Sequence, residues 1–125
     1  MKKVIKTANA PAPIGPYNQA VMANNVLYVS GQIAIHPHTG KLIIDSILNE
    51  THQVMKNLEA VLQEAGMDIS HVVKCGIFLS DMNNFPIVND IYGSYFTDNF
   101  PARETVEVSK LPKGVNVEIS AIAVK

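Results

Sequence analysis

From Val115 to Val124 the chain alternates. Val115, Val117, Ile119, Ala121 and Ala123 are all apolar, and between them stand Asn116, Glu118, Ser120, Ile122 and Val124. Successive side chains of an extended strand point to opposite faces, so the first set makes a continuous core face. The second set begins polar and ends apolar, which is not the composition of a simply solvated face. Such a strand belongs to a sheet buried on one side and half-apolar on the other. That other side calls for a covering partner, and a second copy of the same chain is the simplest one.

The rest of the chain supplies the cover for the first side. Ile47, Leu48, Thr51, Val54, Met55, Leu58, Val61, Leu62 and Ala65 step by threes and fours, which predicts one helix over about Ile47 to Ala65. Ser46 or Asp45 is placed to cap it and Gly66 to end it. The stripe is that of a helix laid on a sheet, and no chemistry is expected from it. Val72 to Leu79 (VVKCGIFL) reads as a buried strand and Val26 to Ser30 (VLYVS) as another. Asn83 or Asn84 is placed to cap a second helix with Val88, Ile91, Tyr92, Tyr95 and Phe96 on its apolar face. Two strands follow, Glu104 to Val108 and Val115 to Val124, separated by Leu111-Pro112-Lys113-Gly114. The segment Pro11-Ala12-Pro13-Ile14-Gly15-Pro16-Tyr17 is too rich in proline for a helix or a central strand and must be a loop. Two helices covering one face of a mixed sheet make a two-layer α+β fold. With no repeat, low-complexity tract or linker, the 125 residues accommodate one domain, residues 1–125.

Composition narrows the function classes. Hydrophobic residues make up 47% of the chain and charged ones only 17%, enough for a core with apolar surface left for an interface. Ten basic and eleven acidic residues are scattered, and Lys2-Lys3 is the only short basic cluster, so a nucleic-acid footprint is missing. The single cysteine, Cys75, excludes an intramolecular disulfide and a multi-cysteine metal cage. The N-terminus lacks the apolar core of a secretory signal, and no stretch approaches the roughly 20 apolar residues of a membrane span. The expected location is cytoplasmic.

Chemistry points to the segment Pro101-Ala102-Arg103-Glu104-Thr105-Val106-Glu107-Val108. On a strand, Val106 and Val108 are expected to face the core with Glu104, leaving Arg103, Thr105 and Glu107 on the other face. Glu118 and Ser120 also lie away from the core face of their own strand. If the two strands are neighbours, a guanidinium, a hydroxyl and a carboxylate converge on the interface side. Arginine grips a carboxylate with two parallel hydrogen bonds, and a nearby glutamate accepts a proton from water. The same residues also describe an ordinary cross-strand ion pair, and periodicity does not choose between the two. His36-Pro37-His38 reads as a turn, His52 as the polar side of the first helix and His71 as a residue preceding a strand, so no metal site is expected. Cys75 reads as a small core residue. No phosphate-cradling glycine motif is present.

Pro101-Ala102-Arg103, Val106-Glu107-Val108, Leu111-Pro112-Lys113-Gly114 and Val117-Glu118-Ile119 together closely resemble the signature of the reactive intermediate deaminase (RidA-type) family, also called L-PSP endoribonuclease. The resemblance covers nearly the whole chain. It extends to the proline-glycine loop Ala10–Tyr17, to Ser30-Gly31-Gln32-Ile33, and to Asp81-Met82-Asn83-Asn84-Phe85 with Val88-Asn89. It implies a bacterial chorismate-mutase-like α+β fold, a homotrimer with sites at subunit interfaces, and no metal or organic cofactor. The implied activity is hydrolysis of 2-aminoacrylate, 2-aminocrotonate and their imine tautomers to 2-oxoacids and ammonia. Position by position, Arg103 matches the residue holding the substrate carboxylate and Glu118 the residue positioning the attacking water. Tyr17, Ser30, Gly31 and Asn89 match pocket positions. Thr105 stands where many members have cysteine and still offers a hydroxyl, and Ser120 stands where an acid is frequent. Glu104 replaces a common serine; it is expected on the core side or its edge, and curling toward Arg103 would make it a competitor for the guanidinium. Three alternatives accompany this expectation: a deaminase of another imine such as an aminomuconate, a ribonuclease or translation inhibitor, and a regulatory module binding a small acid.

Overall fold

Ser46 begins the first helix as foreseen: its hydroxyl accepts the Asn49 N–H at 3.0 Å. In the computed structural model, which describes residues 1–125, this helix (α1) spans Ile47–Glu64 and stops before Gly66, whose φ of +73° only glycine adopts freely. Val54, Met55, Leu58, Val61 and Leu62 are completely buried against the sheet. Leu48, expected on that stripe, is 51% exposed. In the first turn Ile47 packs against the core and Glu50 is buried, so of the stripe Leu48 alone turns away from it. Two polar residues of the same helix, Glu50 and Asn57, are fully buried, which the apolar stripe did not announce.

Six strands form one sheet: β1 (Lys3–Ile5), β2 (Ala20–Ala23), β3 (Val26–Gln32), β4 (Val72–Leu79), β5 (Ala102–Glu107) and β6 (Val117–Val124). Their spatial order is β1-β2-β3-β6-β4-β5, with β4 and β5 parallel and every other neighbour antiparallel. The second helix, α2, spans Phe85–Ser94 and lies beside α1. Asn84 occupies its N-cap position without a side-chain bond; Asp81 instead caps the short turn Met82–Asn84 by accepting the Asn83 N–H at 2.9 Å. Val88, Ile91 and Tyr92 are buried from α2, while Tyr95 and Phe96 follow its end. Both helices cover one face, giving the two-layer α+β fold. No helix is long and apolar enough to cross a membrane.

β6 carries out its alternation: Val117, Ile119, Ala121 and Ala123 are buried, and the intervening residues face the open side. Tyr28 and Phe78 stand opposite them on that open side, with Val106 beyond Phe78, and no helix covers these residues.

β5 reverses an expectation. It begins at Ala102 and ends at Glu107, and Arg103, Thr105 and Glu107 stand level with the core residues Cys75, Ile77 and Leu79 of β4. Level residues of neighbouring strands share a face. Arg103, Thr105 and Glu107 are therefore on the helix side, whereas Glu104 and Val106 point to the open side, where Val106 is 41% exposed. An edge strand contacts little core, so the sorting of valine and glutamate along it is set by its register on β4 and not by apolarity.

Candidate functional site

The first concentration of polar groups surrounds Glu118. Val29 pairs with Ala121 and Gln32 with Ile119, so β3 spends Ser30 and Gly31 where β6 spends only Ser120. This bulge turns the backbone of Gly31 beneath the Glu118 carboxylate. A Cβ on Gly31 would lie 1.9 Å from Glu118 Oε2, so the glycine is required by close approach. Ser30 is fixed by its N–H to Gln19 O at 2.9 Å and by its hydroxyl to Asn18 O at 2.6 Å. The proline-rich loop is held across the site by the buried Gln19 amide, which donates to the carbonyls of Thr7, Ala10 and Pro11 and accepts the Thr7 N–H. From that loop Tyr17 Oη accepts the Ile14 N–H at 3.3 Å, leaving its own proton free to donate.

Tyr17, Ser30, Gly31, Glu118 and the turn Pro112-Lys113 line a cavity of about 510 Å³, completed by apolar side chains such as Ile33 and Ile35. Lys113 adopts the left-handed conformation at φ +57° within this wall. Burial raises the Glu118 carboxyl above its ordinary pKa. A half-buried carboxylate of raised basicity beside an open cavity is equipped to hold a water molecule and accept its proton.

The second concentration surrounds Arg103. Its Nη1 donates to Asn89 Oδ1 at 2.7 Å, and the guanidinium lies over the rings of Phe85 and Tyr92, 5.5 and 5.3 Å from their centroids. These three α2 residues hold a planar cation at the rim of a cavity also lined by Gly93, Phe100 and Pro101. No carboxylate of the chain pairs with it: the acidic partners engaged in ion pairs are Asp68, with His71, and Glu104, with Lys74. Glu104, 3.1 Å from Lys74 on the open face, thus stays away from the guanidinium it was poised to compete for. Thr105 Oγ1 is buried without a hydrogen-bond partner two residues along the same face. Tyr92 Oη is also unpartnered, and burial pushes its phenol and the Cys75 thiol upward. Cys75 is a core residue.

Arg103 and Thr105 do not converge with Glu118 in one chain. Arg103 and Ala121 both stand level with Cys75, on the helix side, while Glu118 stands level with Phe78, on the open side. The sheet separates the two sets. Tyr17, Ser30, Gly31 and Glu118 form one set, and Asn89, Arg103 and Thr105 the other. Reading β5 alone could not detect this, because the face of an edge strand is known only from its register. Phe85 and Tyr92 were likewise missed as supports of Arg103, since an aromatic on a helix face ordinarily signals core. The histidines serve local structure: His36 Nδ1 accepts the N–H groups of His38 and Thr39 in a turn, and His52 Nδ1 lies 2.8 Å from Tyr95 Oη in a half-buried position.

Comparison with known proteins places this geometry among relatives. The sequence profile described as Endoribonuclease L-PSP matches residues 7–125. A RutC family protein of Pyrococcus horikoshii is 50% identical over all of this chain and 99% of its own. The 2-iminobutanoate/2-iminopropanoate deaminase of Homo sapiens is 45% identical over all of this chain and 91% of its own. A crystal structure of a protein of the conserved Rid family from Yersinia pestis superposes with a TM-score of 0.97 at 53% identity, over 100% of both chains.

Two outcomes follow from the Glu118 cavity. Gly31→Ala is expected to keep the fold, because the group in the way is a flexible carboxylate, and to expel that carboxylate into solvent. A ¹³C NMR titration of Glu118 then shows its pKa falling back toward the ordinary value; an unmoved titration refutes the close packing. Glu118→Gln is expected to raise the thermal midpoint at neutral pH. A carboxyl whose pKa rises on folding binds its proton more tightly when folded, so its ionised form lowers stability above the folded pKa. The advantage of the variant must shrink as pH falls through that pKa and vanish below the unfolded one, which thermal melts across pH will read.

Proposed function

The chain belongs to the endoribonuclease L-PSP family, the family of the RidA-type deaminases, and on that premise we propose that it hydrolyses small 2-imino acids and their enamine tautomers to 2-oxoacids and ammonia. The intended substrates are 2-aminoacrylate, 2-aminocrotonate and their imines, and residues 1–125 act as one domain in the cytoplasm. The observation that carries the proposal is an arginine held by Asn89, Phe85 and Tyr92 yet free of any carboxylate of its own chain. An arginine held in this way is a clamp for a small acid.

Because the clamp and Glu118 lie on opposite sides of the sheet, the reaction requires two copies. The assembly proposed is a homotrimer in which Arg103, Asn89 and Thr105 of one protomer meet Glu118, Tyr17, Ser30 and Gly31 of the next. The half-apolar open face and the opposed half-sites support it.

Arg103 binds the carboxylate and so fixes the imine carbon against a water held by Glu118. Glu118 takes a proton from the water as its oxygen bonds to that carbon, and the C=N pair moves to nitrogen, which is protonated. The hydroxyl proton then passes to the amino nitrogen, and as the C–N bond breaks a C=O bond forms and ammonia leaves. Tyr17 Oη–H is placed to donate in the cavity wall, and Thr105 Oγ1 is a buried hydroxyl beside the clamp. An imine is already electrophilic, so positioning and one base suffice, and the scheme uses no cofactor.

The test couples the protein to a serine/threonine dehydratase with its amino acid and follows decay of the transient imine and appearance of the oxoacid. Arg103→Ala is expected to lower kcat/KM by about 100-fold, ~3 kcal/mol of lost charge-assisted hydrogen bonding. Unchanged turnover ends the assignment, and ligand binding with no turnover in the parent protein makes it a binding module. Co-expressing Arg103→Ala with Glu118→Gln separates shared from self-contained sites. In a cyclic trimer every mixed assembly regains one intact site, about a quarter of full activity for an equal mixture. No recovery overturns the shared site.

A further inference from the structure

Glu50 is the one acidic residue of the chain with no accessible surface. A bare carboxylate cannot be sealed in an apolar helix stripe without strong compensation. No cation supplies it. Oε2 instead accepts the N–H groups of Asn116 at 2.7 Å and Val117 at 3.0 Å, and Oε1 accepts Asn116 Nδ2 at 2.8 Å. The position in the first turn of α1 adds the favourable end of the helix dipole.

The place of these bonds gives them meaning. β3 leaves β6 at the pair Gln32–Ile119, so the backbone donors of Asn116 and Val117 lie beyond the last strand able to receive them. Glu50 stands in for the missing strand. From the other side, Ser80 donates its N–H to Asn116 O at 3.1 Å and its hydroxyl to Asn116 Oδ1 at 3.3 Å. Asn116 is thus gripped from both flanks two residues before Glu118. Two turns along the same helix, Asn57 Nδ2 donates to the carbonyls of Ile33 and Ile35, at 3.1 and 3.0 Å, tying down another wall of the same cavity.

We propose that Glu50 is a positioning residue: from the buried face of α1 its carboxylate fixes the start of β6, and with it the aim of the Glu118 carboxylate over Gly31. The proposal rests on the assignment of Glu118 as the group that activates water. A strand whose first residue and the residue before it lose their acceptors can shift or twist, and a displacement of about 1 Å at a reacting group lowers turnover by about 100-fold. Substrate affinity, governed by Arg103 on the far side of the sheet, need not follow.

The full-length protein carrying Glu50→Leu, Glu50→Gln or Glu118→Gln is compared with the parent in the coupled assay and by ¹³C NMR titration of the Glu118 carboxyl. Glu50→Leu is expected to lose about 100-fold in kcat with KM nearly unchanged, and the Glu118 titration moves toward the ordinary carboxylate range. Glu50→Gln, whose amide oxygen still receives the two backbone N–H groups, restores most of that loss. A lowered thermal midpoint with parental kcat and titration in the folded Glu50→Leu protein reduces Glu50 to a structural anchor and overturns the proposal. If Glu50→Leu does not fold, Asn116→Ala, which removes only the side-chain part of the grip, takes its place. It is expected to lower kcat several-fold at constant KM, and an unchanged kcat counts against the proposal. Full turnover in Glu118→Gln instead sinks the assignment of Glu118, and the NMR titration then judges the positioning by Glu50 alone.

Discussion

β6 sits between β3 and β4, and its register with each decides what the molecule can present on either face. On the β4 side the pairing is long and nearly regular, so Val117, Ile119 and Ala121 face the helices and Glu118 and Ser120 face away. On the β3 side one extra residue at Ser30–Gly31 breaks the match and brings bare backbone under Glu118. Shifting β6 by a single residue would exchange its faces, sending Glu118 into the core and Ile119 into the open. The buried apolar set prevents that slip, so the hydrophobic alternation that builds the core also aims the carboxylate.

The same register leaves each protomer with two separated sets of polar groups. On the helix side of β5, a guanidinium is framed by two aromatic rings and an asparagine and has no counter-charge. On the open side, a half-buried carboxylate rests against glycine. Neither set makes sense as a stability device. An exposed arginine gains little from a frame of this kind, and a desolvated carboxylate with nothing opposite it lowers the stability of the fold. Groups held in place and left unsatisfied are the expected mark of a site whose missing partner comes from elsewhere, a substrate or a second protomer.

How far the sequence carried this depended on whether a residue answers to local pattern or to register. The body of α1, the limits of β4 and both faces of β6 were legible because a continuous apolar stripe or a strict alternation is enough to define them. The residues of the two polar sets were legible one by one, from the motifs around Arg103 and Glu118, but their relative placement was not. β5 offers one valine and no alternation anchored in the core, so its parity was undecidable until its pairing with β4 was known. Glu50 and Asn57 were hidden for a related reason. A polar residue within an amphipathic helix ordinarily faces water, and only the early departure of β3 from β6 creates buried donors and acceptors that need such residues.

That departure links the fold to the chemistry. A site needs a strand to end so that a cavity can open beside it, yet each strand that ends abandons the backbone groups of its neighbour. Here β3 bulges and leaves at Gln32, the cavity opens over Gly31, and the orphaned N–H groups of Asn116 and Val117 fall to a carboxylate delivered from the helix layer. A buried water molecule could have received them, but it carries no charge and is not tethered to the helix. A buried charge held by three donors is stiffer. The stiffness is applied at Asn116 and Val117, two residues and one residue before Glu118.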